Sequence, residues 1–334
     1  MDRRAALIGI ANCLVFAKAF ATSGAPAERG CRLGGTFIQP TNLQAAWSSA
    51  DWGRLFDEFA TLGITDLFIQ WTVLDQTAFF RSTRFRLSSA PTLPLVLTLA
   101  ARTRIRVWIG LHLDTRYWEE IKQGPDRVQI YLRERLRDLD RLLAELEPAL
   151  AEAPFAGWYV TDELDDQTWD GGAKRAVLKR YLSDTVAQLR SRRPASKVAI
   201  SGFTNSDSDP DLVAAFWADV LKASGIDLLL FQDGVGERKL QLADVPRYYA
   251  PLLDAVQGVG AQLGGVVELF SLMPDGKRLP GPIDRIRSQL ALADGLRGFP
   301  PVVFSVPDYM SDLAGPRAAD LLWQFISVQS KCSS

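Results

Sequence analysis

Eight short apolar runs, each rich in β-branched or aromatic residues, punctuate the chain. They are Thr36–Gln39, Asp66–Trp71, Val107–Leu113, Gly157–Thr161, Val198–Ser201, Leu228–Phe231, Val266–Leu269 and Val302–Val306, with centres 30 to 49 residues apart. That spacing holds a strand, a crossover helix and two loops. Between the runs the apolar period changes to three or four. Leu132, Leu136, Leu139, Leu143 and Leu146 form one helical stripe, Leu178, Leu182, Val186 and Leu189 another, and Leu321, Leu322, Phe325 and Ile326 close the chain. Strands apolar on both faces belong to a parallel sheet covered by helices. Eight consecutive βα units predict an α/β chain folded as a single (β/α)8 TIM barrel over residues 35–330. An open doubly wound sheet would carry a phosphate-binding glycine turn after an early strand; Gly34-Gly35 precedes its strand instead. No linker or composition break follows residue 30, so one domain is expected.

The segment before the first run reads differently. Met1-Asp2-Arg3-Arg4 is basic, Ala5 to Ala17 is an almost unbroken apolar run, and Ala19-Phe20-Ala21 has the small-x-small form of a cleavage site. This predicts a signal peptide over 1–21 and a short lead over 22–34. The run is shorter than the roughly 20 residues of a membrane-spanning helix. An exported protein, periplasmic or secreted and without a membrane span, is therefore expected. Its net charge would be −3 after cleavage, and that balance argues against a nucleic-acid partner. Cys31 and Cys332 would stay, one at each end of the mature chain. An oxidising compartment permits a disulfide between them, and a closed barrel would bring them together; two free thiols at frayed ends is the alternative. A monomer is expected.

The chain has one histidine, His112, which excludes sites built on several imidazoles. Catalytic groups of a TIM barrel sit at the C-terminal ends of its strands. Those ends carry Gln39, Gln70, His112, Glu163, Ser201, Gln232-Asp233, Glu268 and Ser305. Alternation puts Thr161 and Glu163 on one face of the fourth strand and Trp158, Val160 and Asp162 on the other. Glu268 is the only polar residue between Val266-Val267 and Leu269-Phe270. A carboxylate there is costly to bury. Two carboxyl groups flanking one bond are what glycoside hydrolysis requires, one to protonate the leaving oxygen and one to attack or to activate water. The alternative is that each glutamate pairs with an arginine, with Arg81, Arg84 and Arg116 as available partners.

The placement of these two glutamates resembles the clan of retaining glycoside hydrolases on TIM barrels, in which the strand-four glutamate is the acid/base and the strand-seven glutamate the nucleophile. More narrowly, Gly35-Thr36-Phe37-Ile38-Gln39, Trp52, Gly63-Ile64-Thr65-Asp66 with Gln70-Trp71, Gly157-Trp158-Tyr159 and Phe231-Gln232-Asp233-Gly234-Val235-Gly236 are similar to an uncharacterised bacterial family of glycoside-hydrolase-like barrels. Asp162 stands where the clan's best-known members have Asn before the acid/base, which puts contact with the sugar 2-hydroxyl, and the retaining mechanism, in question.

The expected function is an exported glycoside hydrolase acting on a poly- or oligosaccharide, with Glu163 and Glu268 catalytic and no cofactor or metal. Gln39, Gln70, Trp71, His112, Asp162, Gln232, Asp233, Phe270 and Tyr309 are expected to line the substrate, with aromatics as stacking platforms. Trp118, Trp169 and Phe203 add to the aromatic density near the mouth. His112 beside Asp114 reads equally as a structural histidine, and Asp233 equally as a turn-former. Asp162, Asp165, Asp166 and Asp170 form an acidic stretch without EF-hand spacing. A non-catalytic glycan-binding or exopolysaccharide-assembly barrel is the competing function. A Ser-His-Asp hydrolase lacks its G-x-S-x-G turn, and a phosphate-ligand barrel lacks glycines after strands seven and eight.

Overall fold

The computed structural model describes residues 30–41, 44–89 and 91–332. The expected signal peptide and residues 22–29 of the lead lie outside the described residues. Eight strands close into a parallel barrel: β1 (Gly35–Ile38), β2 (Asp66–Ile69), β3 (Arg106–Gly110), β4 (Phe155–Asp165), β5 (Lys197–Phe203), β6 (Leu228–Gln232), β7 (Gln262–Glu268) and β8 (Val302–Phe304). Closure is made by β1 against β8, with Gly35 opposite Val302. A helix follows each strand: α1 (Ser49–Leu62), α2 (Thr92–Thr103), α3 (Pro125–Leu146), α4 (Gly172–Arg192), α5 (Pro210–Ser224), α6 (Val245–Gly258), α7 (Ile283–Asp294) and α8 (Pro316–Cys332).

Local chemistry marks the helix ends. Ser48 and Asp51 form a reciprocal capping box at the start of α1, which stops at Gly63 in the left-handed region (φ 76°). Asp209 caps α5, with Pro210 in its first turn.

The strands sort their side chains into two cores. Phe37, Phe68, Trp108, Tyr159, Leu228, Leu230, Val266 and Val302 fill the barrel interior. Their sequence neighbours, among them Ile38, Leu67, Val107, Trp158, Val160, Leu229 and Val267, pack against the helices. Alternation along each strand is therefore the coordinate that decides which polar groups reach the mouth.

Two departures from the sequence expectation bear on the site. The run Val107–Leu113 breaks after Gly110, where a β-carbon would come within 2.1 Å of the Ile69 carbonyl oxygen. His112 and Leu113 instead pair with Val73 and Leu74 in a small sheet of the strand-two and strand-three loops. Strand β4 runs past Thr161 to Asp165 because it bulges. Val160 lies opposite Ile200 and Leu164 opposite Gly202, so Thr161, Asp162 and Glu163 face a single residue of β5. A bulge bends the strand and re-aims its side chains. The Thr161 hydroxyl donates to the His112 carbonyl (2.7 Å), tying the bulge to its neighbour.

The two ends of the described barrel meet as closure requires. Cys31 and Cys332 are disulfide-bonded with Cα atoms 6.6 Å apart, and the Gln329 amide donates to the carbonyls of Cys31 and Leu62. Among the described residues no helix is long and apolar enough to cross a membrane.

Candidate active site

Gln39, Gln70, Glu163, Gln232 and Glu268 continue the inward faces begun by Phe37, Phe68, Tyr159, Leu230 and Val266. The Gln232 amide donates to the Glu163 carboxylate (3.1 Å), joining strands four and six across the mouth. The Tyr117 hydroxyl donates to the Glu163 carbonyl (3.1 Å) and steadies the bulge. Burial raises the proton affinity of Glu163, while the nearby Lys239 ammonium and the Gln232 amide oppose that rise.

Glu268 is more enclosed, at 5% exposure. Its carboxylate accepts the Glu237 backbone N–H (2.7 Å), and the loop after β6 passes so close that a β-carbon on Gly236 would meet the Phe270 carbonyl oxygen at 2.3 Å and the Glu268 β-carbon at 2.8 Å. Burial and the neighbouring Asp233 carboxylate push Glu268 up to about 8. Asp233, also buried, is pushed up to about 6. Like charges held together cannot both ionise readily, so the pair retains a proton.

Sequence reading missed the loop that joins these acids. Residues 234–240 place Lys239 in the electrostatic field of Glu163, Glu268, Glu237 and Asp165, with its Nζ 3.0 Å from the centroid of the Phe203 ring. Among the described residues it makes no ion pair within 4 Å. Glu237 is held by Arg278 through two hydrogen bonds (2.9 and 2.6 Å). Neither Glu163 nor Glu268 pairs with an arginine side chain among the described residues; Arg116 is taken by Asp114, and Arg285 donates to the carbonyls of Glu268 and Phe270. Asp308, another missed acid, is bonded to the Ser305 hydroxyl, and burial raises its proton affinity. The sequence signals for this loop were its position after a strand end and the Gly234-Val235-Gly236 part of the family-like motif; its charged residues gave none, because charged loop residues are ordinarily solvated.

Four residues expected to line the mouth are placed elsewhere. Trp71, one residue past inward Gln70, turns to the helix side; its indole N–H donates to the Pro40 carbonyl (2.8 Å), and it packs with Phe79, Leu93 and Val96. Asp162, one residue before Glu163, is ion-paired behind the barrel with Arg135 (2.8 Å) and accepts the Tyr181 hydroxyl (2.7 Å), so it is not presented to a sugar. Asp233, one residue past Gln232, turns beneath α7, where it accepts from the Gln289 amide (2.6 Å) and from the Val235 N–H. His112 is engaged by the Asp75 carbonyl (2.8 Å) and the edge of Phe85, within the loop sheet. Burial lowers its proton affinity, with the Arg135 charge adding to that effect.

Phe270 and Tyr309 do stand together (5.1 Å between centroids), with Phe304 beside Phe270. Phe203 contacts Trp118, whereas Trp169 is fully buried. The acidic stretch after β4 organises its own loop. Asp165 accepts the Thr168 N–H, Asp166 accepts the hydroxyls of Thr204 and Ser208, and Asp170 accepts the Gly171 N–H. Among the described residues no group of three or more His, Cys, Asp or Glu side chains is arranged to hold a metal ion.

The site is thus carried by a closed (β/α)8 barrel with glutamates at the mouth ends of strands four and seven, and solved structures agree on the fold. The chain superposes on a candidate α-L-fucosidase from Bacteroides thetaiotaomicron VPI-5482 with a TM-score of 0.77 and 17% identity, covering 91% of this chain and 96% of that one. It superposes on an endo-β-1,4-mannanase from Thermotoga petrophila with a TM-score of 0.59 and 14% identity, over 92% and 78% of the two chains. By sequence the chain belongs to the family described as Domain of unknown function (DUF4434), whose model matches residues 33–320. It is also 29% identical over 267 residues to the uncharacterized protein YbcH of Escherichia coli (strain K12), covering 77% of this chain and 84% of that protein.

Proposed function

We propose that the protein is an exported glycoside hydrolase that cleaves a poly- or oligosaccharide with Glu163 and Glu268 as its two carboxyl groups. The observation that carries this reading is the pair itself. Each glutamate is directed inward at a strand end, is desolvated, lacks an arginine partner among the described residues, and shares the field of Lys239. Structural ion pairs would have neutralised such costly charges. The fold neighbours support the class of reaction but not its substrate. Export is argued from the basic and apolar start of the chain and agrees with the Cys31–Cys332 disulfide.

Hydrolysis needs one protonated and one ionised carboxyl group. The resemblance to the retaining clan supports Glu163 as the proton donor and Glu268 in the second role, nucleophile or base. Burial raises the proton affinity of both carboxyl groups, so either can hold the single proton the pair needs. Both tautomers have the same pH dependence, and a pH profile therefore cannot assign the roles. Leaving-group chemistry can. Glu163→Gln should lose about 10²–10⁴-fold activity on a natural glycan and recover most of it on an aryl glycoside whose leaving group needs no proton. Glu268→Gln should recover on neither. The opposite pattern would exchange the roles, and two fully active variants would leave the barrel without this chemistry.

A further inference from the structure

Phe203 offers a flat aromatic face at the end of β5, braced by Trp118 (5.9 Å between centroids). The group resting on it is the chain's own Lys239 ammonium, 3.0 Å from the ring centroid and in the field of Glu163, Glu268, Glu237 and Asp165. An aromatic face combined with carboxylates is a receptor for a cation. The other cation at this loop, Arg278, is already committed to Glu237 through two hydrogen bonds. A second feature points to a hydrogen-bond-donating ligand. Gln70, at the end of β2 across the ring of strands, is only 8% exposed, and its amide oxygen is enclosed without a partner among the described residues. A buried acceptor left empty is expensive unless a ligand or water completes it.

We propose that this part of the mouth is a subsite for the ammonium group of an amino sugar, and that Lys239 fills it as an internal stand-in until a de-N-acetylated hexosamine unit displaces it. The inference rests on the mouth being a glycan site, but not on turnover. Lys239 is a suitable occupant to displace. It is half-buried, makes no ion pair within 4 Å among the described residues, and sits on a flexible four-carbon stem. Burial also weakens its hold on its proton, so its ammonium is a costly resident. When it swings out, the subsite keeps its carboxylates and its ring but loses its positive charge. A uronate would then meet like charge, and an N-acetylated unit would have no charge to offer the carboxylates.

The test is calorimetric binding of three matched tetrasaccharides at pH 6 and low salt: glucosamine, N-acetylglucosamine and galacturonate. Wild type should prefer the glucosamine tetramer. Lys239→Met keeps the stem on Phe203 and removes the competing charge, so it should raise the ratio of glucosamine to N-acetylglucosamine tetramer affinity about tenfold, equivalent to ~1.4 kcal/mol. Should the variant fold poorly, wild type supplies a second measurement by NMR. The ring-current-shifted ε-methylene of Lys239 should move to its solvent position on adding the glucosamine tetramer, and not with the N-acetylated one. Preference for the neutral or anionic tetramer, or a Lys239 signal that stays on the ring at saturation, overturns the proposal. Selective glucosamine binding without cleavage would retain the subsite and remove the hydrolase reading. Cleavage of neutral glycans with no ammonium preference would do the reverse.

Discussion

Glu163 and Glu268 stand on one rim, yet the walls behind them are built on different principles. Behind β4 the adjacent acid, Asp162, is neutralised by Arg135 and satisfied by Tyr181, and Arg135 also donates to the His112 carbonyl (2.8 Å). Behind β6 and β7 the adjacent acid, Asp233, has only an amide partner, Gln289, and a turn N–H. Arg285 gives its Nη2 N–H groups to backbone carbonyls and acts on Asp233 only through its charge. The Arg135 charge offsets that of Asp162, and the proton affinity of Glu163 is set by burial and by groups in the mouth, Lys239, Gln232 and Glu237. An acid that is not neutralised reaches through the wall and raises Glu268. Two carboxyl groups in similar inward positions are thereby both raised by burial but tuned by different neighbours, Glu163 by groups in the mouth and Glu268 by the acid behind it.

The contrast is most easily broken by removing each wall's partner. Arg135→Met strands the Asp162 carboxylate in a buried site and should cost about 3–5 kcal/mol in denaturant unfolding. Gln289→Leu should cost roughly 1–3 kcal/mol, because Asp233 can keep a proton in place of its lost hydrogen bond. Equal losses would mean that the two walls are not different in kind.

Glu268 itself should be a liability to the fold. Its folded pKa lies above the ordinary carboxyl value of 4.5, at about 8. The native state therefore binds the proton more tightly than the unfolded chain, and stability is lost as pH rises through that interval. Glu268→Gln should raise stability by roughly 1–3 kcal/mol at pH 8 and by progressively less as the pH approaches 4.5, read from melting curves across pH. Glu163→Gln should gain less, because Lys239 and Gln232 already favour the Glu163 anion.

The smallest expected effect sharpens the contrast most. Asp233→Asn removes the negative charge that raises Glu268, so the alkaline limb of a pH–rate profile, or the Glu268 carboxyl titration seen by NMR, should move to lower pH. Asp162→Asn disturbs an acid whose charge is already balanced and should leave both titrations nearly in place. A shift from Asp162 as large as that from Asp233 would refute the local-neutralisation argument.

How far the site was legible can be argued from three neighbours. Trp71, Asp162 and Asp233 each lie one residue from an inward side chain, namely Gln70, Glu163 and Gln232. A strand has a period of two, so each had to face the helices. That information was present in the sequence, and counting alternation strictly would have withdrawn all three from the mouth. His112 was not open to the same count, because the close approach of Gly110 to β2 ends the strand before it. Lys239 and Glu237 were not legible at all. A loop has no period, and nothing in Gly234-Val235-Gly236-Glu237-Arg238-Lys239 states that its backbone folds over Glu268.

What the chain determined by itself was the repeating unit. The apolar runs, their spacing and the change of period between them specify eight βα units, and alternation counted along the strands puts Glu163 and Glu268 on the inward face. Only the tertiary structure decided what surrounds those two acids: that Arg135 neutralises one wall, that Asp233 is left uncompensated in the other, and that Lys239 lies on Phe203 between them. The division has a physical basis. Burial patterns repeat along the chain and can be counted there, whereas electrostatic interactions depend on distance through space and on the local loss of water, and these exist only once the barrel has closed.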